Sequence, residues 1–136
     1  MTIVVLDTNV ILAALISQKG SSYRLLELGA SGKLEIFSSP ELIAELMRVL
    51  LNELKSDRQE ADAAVQKLLL FVKITVPKTR ILAVDRDPDD NKVLECAASV
   101  DAEFVASWDP DLLSLEKFGK IKITNPGKLL ALLKKA

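Results

Sequence analysis

The sequence predicts an α/β domain of three layers, in which helices flank a central, largely parallel sheet. Three observations lead there. Short apolar runs of strand length alternate along the chain with longer segments whose apolar residues recur at helical spacing. The clearest strand, TIVVL, is apolar at successive positions, as in a parallel strand buried on both faces. Residues that cap or end helices stand where the pattern changes. The 136 residues (14.9 kDa) suit one domain spanning 1–136. Hydrophobic residues make up 49% and aromatics only 4%, so the core must be largely aliphatic.

Residues 2–6 read as the first strand, and NVILAALIS as a helix opening near Asn9, a residue type that caps helices well. A second helix over about 22–31 stops at Gly32, a common place for glycine. KLEIFS (33–38) reads as a strand. In the next segment Ser39 can cap, Pro40 suits the first turn and Glu41 complements the helix dipole. Leu42, Leu46, Val49 and Leu50 form its apolar stripe, widened by Ile43 and Met47. A further helix covers about 57–72. KITV (73–76) and ILAV (81–84) are strand candidates, followed by a helix over 89–100 and the strand EFVAS (103–107). A helical turn at 112–115, a strand around KIKI (120–123) and a helix from Pro126 to about residue 134 complete the chain. No repeat, linker or low-complexity tract interrupts it.

What is missing narrows the chemistry. The chain has no histidine, which removes Ser-His-Asp and Cys-His triads and histidine-containing zinc sites. A metal ion held here would be held by oxygens, and that favours magnesium or manganese. The single cysteine, Cys96, cannot form an internal disulfide. No apolar run reaches membrane-spanning length, and MTIVVLDTNVILAALI lacks a basic leader and is split by Asp7, so no membrane association and a cytoplasmic location are expected. The net charge of −1 is unevenly spread. Between Asp85 and Asp111 nine Asp/Glu stand against Arg86 and Lys92, whereas from Lys117 onward there are six lysines and no acid. An acidic pocket for cations and a basic segment for phosphates would look like this, as would ordinary solvated charge.

Ligands in open parallel sheets bind beyond the carboxyl ends of the strands. Asp7 directly follows the first strand, Asp109 lies two residues past EFVAS, and Asp90 opens the helix after ILAV. Three acids from distant parts of the chain are thus expected at one rim, where their repulsion costs several kcal/mol unless cations offset it. Each has a plainer reading: Asp7 as a helix cap, Asp89 or Asp90 as a dipole partner, Asp109 before Pro110 as a turn residue, Glu45 as part of a solvated helix face. In DRDPDDNKVLEC, Asp90 is expected to lean toward the inner face, Asp89 to cap, and Asp85 and Asp87 to lie in extended chain before Pro88.

The succession of Asp7-Thr8-Asn9 after an apolar strand, PELIAELMRVL with Glu45, DPDDNKVLECA with Asp90 and EFVASWDPDLL with Asp109 resembles the PIN-domain family. It looks most like the VapC-like ribonucleases that serve as toxin components of toxin–antitoxin systems. The resemblance runs to the closing IKITNPGKLLALL. It implies a PIN-like three-layer α/β/α fold, an acidic pocket for one or two Mg2+ or Mn2+ ions, and metal-dependent cleavage of RNA. Asp7, Glu45, Asp90 and Asp109 match the family's acidic positions. Thr8 and Asn9 match the hydroxyl and polar residues beside the first aspartate, and Asp111 a position less consistently acidic. Where the family usually reads Thr-Gly-Asp, this chain reads Ser107-Trp108-Asp109. Ser107 keeps the hydroxyl. Trp108 is expected to pack into the core, with stacking on an RNA base or obstruction of the pocket as alternatives.

The leading expectation is therefore a metal-dependent endoribonuclease, with lysines of the last segment and Arg24 or Arg48 on the RNA backbone. The resemblance also implies a homodimer and a possible cognate antitoxin. A phosphoaspartyl hydrolase of the haloacid-dehalogenase type would want a second aspartate where Asn9 stands, and a response-regulator receiver would want paired acids near Asp7. The non-enzymatic alternative is a catalytically weak or inactive PIN module that binds RNA or a protein partner.

Overall fold

The computed structural model of the chain describes residues 1–78, 80 and 88–134, with only the helical backbone at 88–90. The candidate strand at 81–84, and Asp85 and Asp87, lie outside the described residues.

Strand β1 (Ile3–Leu6) leads into α1 (Thr8–Ile16) and α2 (Ser21–Ala30), then β2 (Glu35–Ser38). Helices α3 (Pro40–Asn52) and α4 (Arg58–Leu69) precede β3 (Val72–Ile74). The second half runs α5 (Pro88–Ser99), β4 (Phe104–Ala106), α6 (Pro110–Leu113), β5 (Lys117–Phe118), β6 (Ile121–Thr124) and α7 (Pro126–Lys134). The sheet has the order β3-β2-β1-β4-β6-β5. All its pairs are parallel except β5 with β6.

The register explains the apolar strands. Val5 lies beside Phe37 on one side and Val105 on the other, and these side chains share a face with α5 and α6. Val4, Leu6, Ile36 and Ala106 point to the opposite face, against α1, α2, α3, α4 and α7. With both faces covered, a strand has no polar side to display. Gly29 of α2 sits against β2: a Cβ there would press on the Ile36 side chain, so a larger residue would require that side chain to shift.

Most helix boundaries follow local chemistry. Ser39 Oγ accepts the Leu42 amide at 3.2 Å, and Asp57 Oδ1 accepts the Glu60 amide at 2.8 Å. The Glu60 amide bond holds the Asp57 carboxyl below its ordinary pKa. Gly32, at φ +77°, ends the turn after α2 as expected. The first helix differs from the expectation: its cap is Asp7, not Asn9. Asp7 is extended (φ −66°, ψ 155°) and its carboxylate accepts the Thr8 amide at 2.8 Å, which starts the helix two residues earlier. Strand β5 was not anticipated. Two residues long and joined to β6 through Gly119 at φ +61°, it has no periodicity to read.

Helix α5 ends just before residues 100–103, which feed β4 at the sheet's amino edge, where the Glu103 amide donates to Ile3 O at 2.9 Å. At about 1.5 Å per residue the helix spans the sheet, so its first turn, carrying Asp90, stands at the carboxyl edge. No helix among the described residues is long and apolar enough to cross a membrane.

Candidate active site

Strands β1 and β4 are neighbours, yet the chain leaves β1 into α1 on one face and β4 into α6 on the other. The divergence opens a crevice at their carboxyl ends, the kind of switch point where α/β sheets bind ligands. The Asp7 amide, bonded to Ala106 O at 2.9 Å, is the last rung before the two strands part.

Asp7 is 6% exposed, and a buried carboxylate needs donors to offset its lost hydration. It has them. Oδ1 accepts the Thr8 amide at 2.8 Å, while Oδ2 accepts the Ser107 hydroxyl at 2.6 Å and Asn9 Nδ2 at 3.3 Å. Ser107 Oγ in turn accepts the Asp109 amide at 3.0 Å, so one buried hydroxyl ties the end of β1 to the loop after β4. Asn9 closes the ring, its Oδ1 accepting the Trp108 amide at 3.1 Å and its Nδ2 lying 3.4 Å from Ser107 Oγ.

The same network reaches α3. Thr8 Oγ1 donates to Glu45 Oε2 at 2.7 Å. The Glu45 side chain is only 15% exposed, with Arg48 Nη2 at 3.9 Å from Oε1, so the solvated-face reading of Glu45 is wrong. Helical spacing alone could not reveal this, because the contact depends on where α3 crosses α1.

Asp7, Thr8, Asn9, Glu45, Ser107 and Asp109 therefore form one connected set. Asp7 and Asp109 are also helix caps: Asp109 Oδ1 accepts the Asp111 amide at 2.9 Å and opens α6. The plainer reading of Asp7 as a cap therefore holds, while Asp109, expected as a turn residue, is instead the cap of α6. Asp111 is exposed and joins through its amide. Asp90 stands on the first turn of α5 at the same edge, and its side chain lies outside the described residues.

Trp108 departs from the core expectation. It is 43% exposed and belongs to neither apolar cluster, while its indole N–H donates to Ser22 Oγ at 3.0 Å. Ser22, a buried residue in the first turn of α2, was missed as a site residue because only tertiary contact reveals it. At the end of β2, the strand beside β1, buried Ser38 Oγ has no hydrogen-bond partner among the described residues.

The basic residues divide. Lys128 follows β6 on the first turn of α7, at the crevice edge, and Arg24 follows Ser22 closely. Lys120 instead precedes β6 at the opposite edge, beside Asp101 and Glu103, which removes it from the expected backbone-gripping set.

Every acid in the set offers hard oxygen donors, and two are oriented by hydroxyl groups. That chemistry fits magnesium or manganese. Among the described residues no three acids gather closely enough to hold an ion by themselves, so a complete shell would need the Asp90 carboxylate as well.

Comparison with known proteins agrees with this architecture. A family model described as the PIN domain matches residues 3–111. A Methanocaldococcus jannaschii protein named uncharacterized protein MJ1680 is 32% identical over 127 residues, covering 90% of this chain and 81% of its own. The crystal structure of PAE2754 from Pyrobaculum aerophilum superposes with a TM-score of 0.65 over 99% of this chain and 97% of that one. At 15% identity it speaks to the fold alone.

Proposed function

The chain belongs to the PIN-domain family, whose members are generally nucleases, and from that premise we propose that it is a divalent-metal-dependent endoribonuclease. The observation that carries the reading is the hydroxyl-oriented acid network at the switch point: Ser107 holds Asp7 Oδ2, Thr8 holds Glu45 Oε2, and Asp109 is tied to Ser107. A structural cap needs one acceptor per helix end. It does not need hydroxyl groups that link residues following β1, on α3 and following β4 into one network.

In this reading Asp7, Glu45, Asp90 and Asp109 hold Mg2+ or Mn2+. When bound, the cation supplies charge stabilisation at the phosphoryl group and a lower pKa for water. The protein's own part is positional. Ser107 and Thr8 fix the carboxylate planes, Asn9 locks the β4 loop against α1, and Asp111 stands beside Asp109 as a supporting acid. Arg48, 3.9 Å from Glu45 Oε1, would meet phosphates at the site, with Arg24 and Lys128 as further candidates. Water attacks phosphorus in line and the 3′ oxygen leaves, giving 5′-phosphate and 3′-hydroxyl ends.

The proposal extends to a cytoplasmic toxin component restrained by a cognate antitoxin, and to a homodimer. Leu54, Leu69 and Leu70, at the ends of α3 and α4, are 45%, 43% and 84% exposed, apolar surface that a second copy would cover. Light scattering near 14.9 kDa at tens of micromolar would reject the dimer. Incubating the purified chain with single-stranded RNA and manganese, against an EDTA control, tests the activity. Fragments bearing 5′-phosphates are expected only with metal. RNA that is bound but intact would favour the non-cutting module instead.

A further inference from the structure

We propose that Trp108 is a stacking platform for an unpaired base of the substrate, set at the mouth of the acidic crevice. The inference deepens the nuclease reading and rests on it. Trp108 sits between Ser107, which holds Asp7, and Asp109, so a base on its ring lies next to the acid network. An indole 43% exposed and outside both apolar clusters contributes little to the core. It is nevertheless fixed: the ring N–H is tied to buried Ser22 and the backbone N–H to Asn9. The anchor on α2 holds the half-exposed ring, and the one on α1 holds the backbone that carries it. A ring already immobilised loses little entropy when a base stacks on it.

Charge points the same way. Asp7, Glu45 and Asp109 bring carboxylates to this edge, and carboxylates repel a phosphate backbone, so a substrate gains there from contacts that do not depend on charge. Stacking on an aromatic face is such a contact, and it needs a base freed from its own stack. The ligand class is therefore single-stranded nucleic acid, with little preference for one base.

Trp108 is the chain's only tryptophan, so its fluorescence reports the contact without any cleavage. In EDTA, a short oligoadenylate RNA should quench it, while an abasic oligomer of equal length and a duplex should not. In cleavage assays Trp108→Ala should raise KM about tenfold or more with kcat nearly unchanged, and Trp108→Phe should restore most of the loss. Equal quenching by the abasic oligomer, no quenching at all, or a Trp108→Ala protein with wild-type KM each overturns the platform. If the wild type cuts RNA in those cases, the nuclease reading survives. Quenching by single-stranded RNA in a protein that cuts nothing would instead support the platform and remove the nuclease.

Discussion

The Ser107 hydroxyl donates to Asp7 Oδ2 at 2.6 Å, joining residues a hundred positions apart in sequence across the point where β1 and β4 diverge. The same oxygen accepts the Asp109 amide, so a single atom coordinates two of the acids expected to act together.

Ser107→Ala removes that joint. The fully buried site leaves the Asp109 amide without its acceptor, which should lower stability by about 1–3 kcal/mol. RNA cleavage should fall further than the population of folded protein accounts for. Urea unfolding alongside single-turnover cleavage separates the two effects, and wild-type cleavage by the folded variant would show that the joint is structural only.

Thr8→Val keeps the shape of the side chain and deletes the donor to Glu45. The expected outcome is roughly a tenfold loss in kcat, with Thr8→Ser close to wild type because the hydroxyl is retained. Equal rates for Val and Ser variants would mean that the orientation of Glu45 does not matter.

The two neighbouring acids at the start of α5 should behave differently. Asp90→Asn is expected to remove cleavage about as fully as loss of Asp7. Asp89 lies inside the first turn of α5, after Pro88, near the positive end of the helix dipole and not at the cap position expected for it; Asp89→Asn should cost about 1 kcal/mol of stability or less and spare cleavage. Asp85→Asn should leave most activity. All three are assayed at one manganese concentration; normal cutting by Asp90→Asn would exclude Asp90 from the site.

Cys96 is fully buried between α5 and the sheet, and burial pushes its thiol from 9.0 up to about 12. A thiol reagent at pH 8 should react only after unfolding. Between pH 9 and 12 the unfolded chain loses the Cys96 proton while the folded chain keeps it, so this group makes stability fall as pH rises through that window. The slope is at most about 1.4 kcal/mol per pH unit. Cys96→Ala should flatten the decline in urea stability above pH 9 relative to wild type; identical slopes would contradict the burial argument.

The sheet's parallel core was legible because TIVVL and EFVAS carry apolar residues on both faces, a pattern that only covered strands sustain. The positions of Asp7 and Asp109 were legible as well, since Asp7 directly follows one such strand and Asp109 stands two residues past the other. Glu45 was not. Its spacing on α3 matches a solvated face, and only the crossing of α3 over Thr8 reveals the contact. Trp108 misled for a related reason: size and hydrophobicity argue for burial, while its surroundings are fixed by Ser22, distant in sequence. The cap of α1 is Asp7 and not Asn9 because both residue types cap helices, and composition cannot choose between them.

Asp7 caps α1, and under the proposed function it also belongs to a metal-bound catalytic site. Asn also caps helices and can still accept the Thr8 amide, so Asp7→Asn should fold with a melting temperature within a few degrees of wild type. The decisive measurement is RNA cleavage by this folded variant, with manganese binding followed by calorimetry on the same sample. Cleavage is expected to be abolished and manganese binding weakened. Cleavage at the wild-type rate by folded Asp7→Asn protein would contradict that assignment.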